Sequence, residues 1–252
     1  MTGIEWTDKT WNPATGCSKV SAGCAHCYAA VMAKRLQANG TKKYARGFDY
    51  TEHEDAIELP LKWRKPCRVF VNSMSDFFHE EATSHFQVRC MQVMQQCPQH
   101  DFQILTKRPT AATGFAELWQ RFHAPWPPNV WLGTSVEDGR TAGRILDLEV
   151  PTALRFVSFE PLLGPITADE LASVGFSSFQ WAIVGGESGP GHRPMRAEWA
   201  RTIRDYCERN GIQFFFKQWG GATPKSGGRR LDGREWTEWP ERRGMALTEA
   251  LA

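Results

Sequence analysis

The sequence predicts a parallel β/α barrel, full or partial, of about six to seven βα units in a single domain. Three observations predict it. Short apolar runs alternate with amphipathic stretches along the chain, the pattern of parallel strands joined by helical crossovers. The runs are rich in β-branched and aromatic residues, and each ends in polar or glycine residues. The length of 252 residues suits a β/α barrel as one domain. A doubly wound open sheet is the second architecture that this alternation allows. The domain is read as 1–252, with 219–252 as a C-terminal basic loop and tail.

The first strand is expected near Thr10 to Asn12. Buried strands are read at Arg68–Asn72, Phe102–Thr106, Val130–Thr134, Leu154–Ser158, Trp181–Val184 and Ile212–Phe216. Helices fall between them. Tyr28 to Asn39 carries Val31, Met32 and Leu36 at helical spacing, with Gly40 as its stop. Thr83 or Ser84 caps a helix through Phe86, Met91, Met94 and Cys97, before Pro98. Thr110 precedes a helix with Phe115, Leu118, Trp119 and Phe122. Asp138 precedes one with Ile145, Leu146 and Leu148, and Glu198 to Asn210 ends at Gly211. There is no internal repeat or low-complexity tract, and the last eight residues are expected to fray.

Composition excludes other classes. Hydrophobic residues are 41% and charged residues 23%, ordinary globular values. A net charge of +2 excludes a strongly basic nucleic-acid coat, but not a local basic groove. The seven cysteines are an odd number, so disulfides cannot pair them all within the chain. Met1 to Trp11 has no apolar signal core, and no apolar run is long enough to span a membrane. A cytoplasmic location is therefore expected, where thiols stay reduced and clustered cysteines read as metal ligands or catalytic groups.

The cluster is Cys17, Cys24 and Cys27, spaced C-x6-C-x2-C between the first strand and the first helix. Gly16 and Gly23 let the loop fold so that three thiolates converge. Three readings stay open: packed core cysteines, a zinc site completed by His26 or a distant cysteine, or an iron–sulfur cluster. A structural zinc site takes four ligands. A [4Fe–4S] cluster on three cysteines leaves one iron free for a substrate or cofactor.

Motifs beyond the loop add a resemblance. Ile4-Glu5-Trp6-Thr7-Asp8 with Thr10-Trp11-Asn12-Pro13, then the loop ending Cys27-Tyr28-Ala29, resembles the phage-associated three-Cys-motif proteins. Ser73 to Phe78, Leu105 to Pro109, Gly185 to Gly189, Phe216 to Gly220 and Leu231 to Arg234 also match. That family, of unknown function, is similar to the radical S-adenosylmethionine (SAM) superfamily. The resemblance implies a β/α barrel, a [4Fe–4S] cluster on Cys17, Cys24 and Cys27, and SAM on the open iron. Reductive cleavage of SAM to a 5′-deoxyadenosyl radical, fed by an external electron donor, would then abstract hydrogen from a substrate. One departure is clear: radical-SAM proteins mostly space these cysteines C-x3-C-x2-C.

In a β/α barrel the chemistry sits at the carboxyl ends of the strands. Ser73 and Asp76 follow the second strand and occupy the place where the superfamily holds the methionine amino group. An ST-turn into the next helix is the alternative. Lys107 and Arg108 follow the third and suit a carboxylate or phosphate. Ser135 and Glu137 end the fourth; Glu137 matches a ribose-binding position, or serves the next helix N-terminus. Glu160 follows the fifth as a candidate substrate contact or proton acceptor. Gly185, Gly186 and Glu187 end the sixth as a possible nest for an anion or for close approach of SAM. His26, before the third cysteine, is expected near the adenine.

Cys67, Cys90, Cys97 and Cys207 read as small core residues. Trp219, Trp236 and Trp239, interleaved with Lys225, Arg229, Arg230 and Arg234, suit a nucleotide or nucleic-acid base as substrate, or a tail that covers the barrel. A partner protein is also compatible. The alternative function is a non-catalytic zinc-binding module for nucleic acid or protein.

Overall fold

The computed structural model describes residues 3–123, 125–152, 154–175, 178–223 and 225–241. The expected fraying of the last eight residues lies outside them. Seven strands form one parallel sheet: β1 (Lys9–Trp11), β2 (Arg68–Val71), β3 (Asp101–Thr106), β4 (Val130–Ser135), β5 (Arg155–Phe159), β6 (Trp181–Gly185) and β7 (Gln213–Gln218). Each pairs with the next in sequence, from Thr10↔Phe70 to Ala182↔Phe214. A doubly wound sheet reverses its strand order midway; this one does not. β1 and β7 do not pair, so the barrel is partial.

The side chains show the curl. Successive strand residues point to opposite faces. On the concave face Phe70, Trp131, Phe156, Trp181 and Phe215 form one cluster with Trp6. Trp6 precedes β1, yet its ring lies 6.3 Å from that of Trp181 on β6. These fully buried aromatics fill the amino-terminal half of the interior, each worth roughly 1.5–3 kcal/mol of burial. The intervening residues face out. Val69, Phe102, Ile104 and Leu132 pack on one set of helices, and Val157, Ala182, Val184 and Phe214 on another.

Besides a single turn at Glu54–Ile57, the helices are α1 (Tyr28–Ala38), α2 (Ser84–Gln95), α3 (Pro109–Phe122), α4 (Ala168–Ser173) and α5 (Ala197–Asn210). The Thr83 side chain caps α2 by accepting from Phe86 N–H. Gly211 ends α5 in the left-handed conformation, φ 67°. The stretch after Asp138 departs from expectation. It is a 3₁₀ helix, Gly139–Ile145, under an Asp138–Thr141 capping box, and two glycines among its seven residues weaken the α form. α1 also departs: it buries Ala29 and Ala33, while Val31 and Met32 face solvent. Leu118 and Phe122 of α3 are likewise exposed. Cys67, Cys90, Cys97 and Cys207 are buried.

The tail covers the sheet edge. Phe216 N–H donates to Trp236 O at 2.9 Å, and Glu238 N–H to Phe214 O at 3.2 Å, so residues 236–238 occupy the edge of β7. The hairpin Arg230–Leu231 and Arg234–Glu235 is tied to α5 by Asp232, which accepts from Arg201 and Arg204. Trp236 is buried beside Phe214, and Trp239 packs on Trp181 and Phe215. Trp219 packs against Phe216. The expected stacking platform for bases is therefore spent on the protein's own core. Among the described residues no helix is long and apolar enough to cross a membrane.

Candidate functional site

The cysteine loop crosses the carboxyl end of the half-barrel. Its base is set by Ala14–Thr15, paired antiparallel with Thr51–Glu52. Gly16 then turns with φ +86°, where a Cβ would lie 2.1 Å from Asp49 O, so only glycine fits. Gly16 N–H donates to Met74 O and Cys17 N–H to Phe48 O. Cys27 is the N-cap of α1. The ring of Tyr28 is exposed, and its hydroxyl donates to Ser73 O. Asn12 Oδ1 accepts from Ser73 Oγ and Met74 N–H, each at 3.1 Å.

Groups after β2, β3, β4 and β6 each reach up to this loop. After β2, His79 Nε2 accepts from Ser18 N–H at 3.1 Å. After β3, Arg108 Nη2 donates to Ser18 Oγ at 2.6 Å, and Nη1 lies 3.7 Å from Cys17 Sγ. After β4, Glu137 Oε1 accepts from Ser21 Oγ at 2.7 Å. A Cβ on Gly23 would stand 2.5 Å from that carboxylate, which accounts for the glycine. After β6, Glu187 Oε2 bonds His26 Nδ1 at 2.9 Å. Arg193 N–H and Nε also donate to Glu187, while its Nη2 donates to Ala22 O.

Three buried carboxylates organise the rim. Both oxygens of Asp76 are engaged by its own chain. Oδ1 accepts from Phe78 N–H and Thr106 Oγ1, and Oδ2 from Lys107 N–H and Arg108 Nη1. Glu137, 1% exposed, takes Lys107 Nζ at 3.0 Å and Arg144 Nη1 at 3.2 Å. Burial alone would raise its pKa, but Lys107, Ser21 and Arg144 outweigh this and lower it. Burial opposes the charged Glu187 too, yet bonds from Arg193 and His26 lower its pKa to about 2. Glu160 lies apart from these three: it accepts from Ser158 Oγ at 3.1 Å and pairs with Lys217 Nζ at 2.9 Å.

Above the aromatic plug the interior lining becomes small and polar. Alternation from Trp131, Phe156 and Trp181 puts Gly133, Ser135, Ser158 and Gly185 on the concave face. A Cβ on Gly185 would meet Glu160 Oε1 at 2.4 Å, and one on Gly186 would meet Trp219 O at 2.0 Å. The second contact is with backbone and cannot rotate away. Gly186→Ala is therefore expected to destabilise by about 1–3 kcal/mol, or roughly 2–4 °C of Tm per kcal/mol at this size. An unchanged Tm in thermal denaturation would show that the turn after β6 shifts freely.

The structure thus gathers Cys17, Cys24, Cys27, His26, Ser73, Asp76, Lys107, Arg108, Glu137 and Glu187 around one loop. Glu160 and Gly185 sit on the β5–β6 side with Lys217. A crevice of about 430 Å³ lies beside Lys107, Arg108 and Arg144, and one of about 200 Å³ beside Lys217, Lys225 and Arg229. Sequence reasoning missed His79, Arg144 and Arg193. Arg193 lies in an irregular segment beyond the glycine turn, and only its reach back to the cysteine loop reveals its part.

All seven cysteines are free thiols. Among the described residues no three His, Cys, Asp or Glu side chains stand together at metal-binding distance. The donor set nevertheless fits an iron–sulfur cluster in chemistry. Cys17, Cys24 and Cys27 are partly exposed on one loop; the Cys17 thiol donates to Ser18 O and lies beside Arg108, Cys24 lies beside Ser21, and neither sulfur is in a disulfide. Burial and Asp76 push the Cys17 thiol up to about 11, with Arg108 opposing; loading a metal there would release that proton.

No curated protein matches the chain, and no solved structure does. The family model described as "Protein of unknown function (DUF5131)" matches residues 1–240, nearly the whole chain, and the protein belongs to that family.

Proposed function

We propose that the protein is an iron–sulfur enzyme of the radical-SAM type. One observation carries this reading. A loop of three free cysteines lies across the carboxyl end of a parallel half-barrel, tied to groups following four of its strands. Cys17, Cys24 and Cys27 would hold a [4Fe–4S] cluster with one iron left open. When bound, that cluster would supply one electron to the sulfonium of SAM, breaking its S–C5′ bond to release methionine and a 5′-deoxyadenosyl radical for hydrogen abstraction.

The protein's own part is placement. Arg108 sets positive charge beside Cys17, which favours the thiolate that a metal needs. Glu187 and Arg193 hold the loop on both sides of Cys24, through His26 and through Ala22 O. Ser135 and Ser158 set small polar side chains above the plug, and the buried aromatics below exclude water from that end. Glu160, held by Ser158 and Lys217, faces the substrate side as an acceptor. For substrate we retain a nucleotide or nucleic-acid base; its support is the crevice at Lys217, Lys225 and Arg229 rather than tryptophan stacking, and a phosphate there would exchange for the carboxylates of Glu160, Glu5 and Glu235 that pair with these cations.

Anaerobic reconstitution tests the reading. The expected product holds about four irons per chain, absorbs in the visible, and releases 5′-deoxyadenosine with SAM and dithionite. Single alanine variants of Cys17, Cys24 and Cys27 should each lose the iron while the chain stays folded. A preparation that takes one zinc on the same cysteines and no iron would instead identify a binding module.

A further inference from the structure

The apolar spacing of α1 has no counterpart in the core. Tyr28, Val31, Met32 and Arg35 follow one another at helical spacing. Such a stripe ordinarily faces the interior, yet here the buried face is Ala29 and Ala33. Val31 is 66% exposed, Tyr28 55% and Met32 43%. Val20, between the first two cysteines, is exposed to 43%. Exposed apolar side chains therefore occur both on the cysteine loop and along the helix that follows it.

Charge marks the same segment. Residues 9–48 contain seven Lys or Arg and no Asp or Glu, in a chain whose remainder holds more carboxylates than cations. Lys19, Lys34, Arg35, Lys42 and Arg46 are exposed. Carboxylates reaching this segment from neighbouring elements are already engaged. Glu80 bonds Ser18 and Arg108, Glu137 bonds Ser21, and Glu187 bonds His26 and Arg193.

We propose that this face docks a small acidic one-electron carrier protein, with Val31 and Met32 at the centre of the contact and Lys19, Lys34, Arg35 and Arg46 at its rim. Apolar centres with charged rims are the usual anatomy of an interface, and the charge selects an acidic partner. A second copy of this face would set cations against cations. A nucleic acid would find one ring to stack on, Tyr28, and no such platform at Val31 and Met32. The identity of the partner as an electron carrier rests on the proposed function, because the face adjoins the three cysteines. The carrier gives up one electron, as flavin hydroquinone anion passing to neutral semiquinone. The cluster takes it, passing from the 2+ to the 1+ state, and no atom is transferred.

The experiment is a calorimetric titration of the protein with an acidic flavodoxin and with an acidic [2Fe–2S] ferredoxin, at low and high salt. Binding by at least one is expected at low salt and should weaken at high salt. The double variants V31E/M32E and K34E/R35E should each weaken it by about tenfold or more. L118E/F122E, on the exposed apolar face of α3, should leave it unchanged. Thermal melts confirm that each variant folds. No binding by either carrier, or equal binding by all variants, overturns the inference. So does a finding that the α1 variants instead abolish binding of a single-stranded oligonucleotide, binding to anionic vesicles, or self-association. Iron loading and dithionite-driven SAM cleavage, measured separately, should be the same in wild type and α1 variants. Their absence from wild type would fail the proposed function, whereas their presence without carrier binding fails only the docking face.

Discussion

Asp76→Ala is expected to destabilise the protein by about 3–5 kcal/mol, the cost of removing one partner from a buried ion pair. Against a typical total of about 5–15 kcal/mol, that is a large fraction of the stability. The carboxylate is 5% exposed and joins three segments. It accepts from Phe78 N–H in its own turn, from Thr106 at the end of β3, and from Lys107 N–H and Arg108 just beyond. Removing it leaves three backbone or hydroxyl donors and one guanidinium nitrogen of Arg108 without their acceptor, and Arg108 is itself only 11% exposed. Asp76→Asn keeps the shape but turns one oxygen into a donor that must face other donors, so it too should be costly. Denaturant titration reads the effect. The double variant Asp76→Ala with Arg108→Ala should cost less than the sum of the two single changes. A loss below about 1 kcal/mol for Asp76→Ala would mean that water replaces the carboxylate and that the network does not hold β2 to β3. For function, Asp76 acts as a positioning residue: it orients Arg108, which in turn lies beside Cys17 and Ser18.

That assignment marks where sequence reading ran out. Asp76 was legible as a strand-end carboxylate, because Arg68 to Asn72 is so plainly a buried strand. Its role is set by Thr106 and Arg108, some 30 residues away, and no local pattern announces that pairing. The strands and their sequential order followed from β-branched runs with crossovers between them. Closure did not, because it depends on whether β1 meets β7. β1 has three residues, and residues 236–238 take the edge of β7. Val31 and Met32 carried a true helical period that pointed to the wrong surface, since the face α1 buries is that of small Ala29 and Ala33, packed with Tyr44 and Met74. α4 went unread, although Thr167 and Glu170 form a capping box that the sequence does display. Trp236 and Trp239 looked like a base-stacking tail because their neighbours are charged. Their rings pack inward, and the charges pair at the surface, Arg229 with Glu235 among them.

Glu137→Gln is expected to destabilise by about 3–5 kcal/mol at neutral pH, with a pH dependence that identifies the cause. Among the described residues Glu137 is the only carboxylate paired with the Lys107 ammonium and the Arg144 guanidinium, and it also accepts from Ser21. Glutamine with its oxygen in the Oε1 place keeps the bonds from Ser21 and Lys107, but its amide group then faces Arg144 and two poorly exposed cations lose their counter-charge. The wild-type carboxyl has a folded pKa below the ordinary 4.5. Its charge therefore contributes stability that is fully present above 4.5 and is lost as pH falls through the lowered folded value. The stability gap between wild type and Glu137→Gln should be constant from neutrality down to about pH 5 and should narrow below it. A gap independent of pH down to acid unfolding would assign the loss to packing at Gly23 instead of to charge. The same variant bears on the site, because Ser21 lies between Cys17 and Cys24. Freed from Glu137, the loop should lose order without losing any thiol. Iron would then be taken up at normal stoichiometry but released faster to a chelator, whereas Cys24→Ala abolishes uptake. That contrast separates a residue that positions the cysteines from one that would bind the metal.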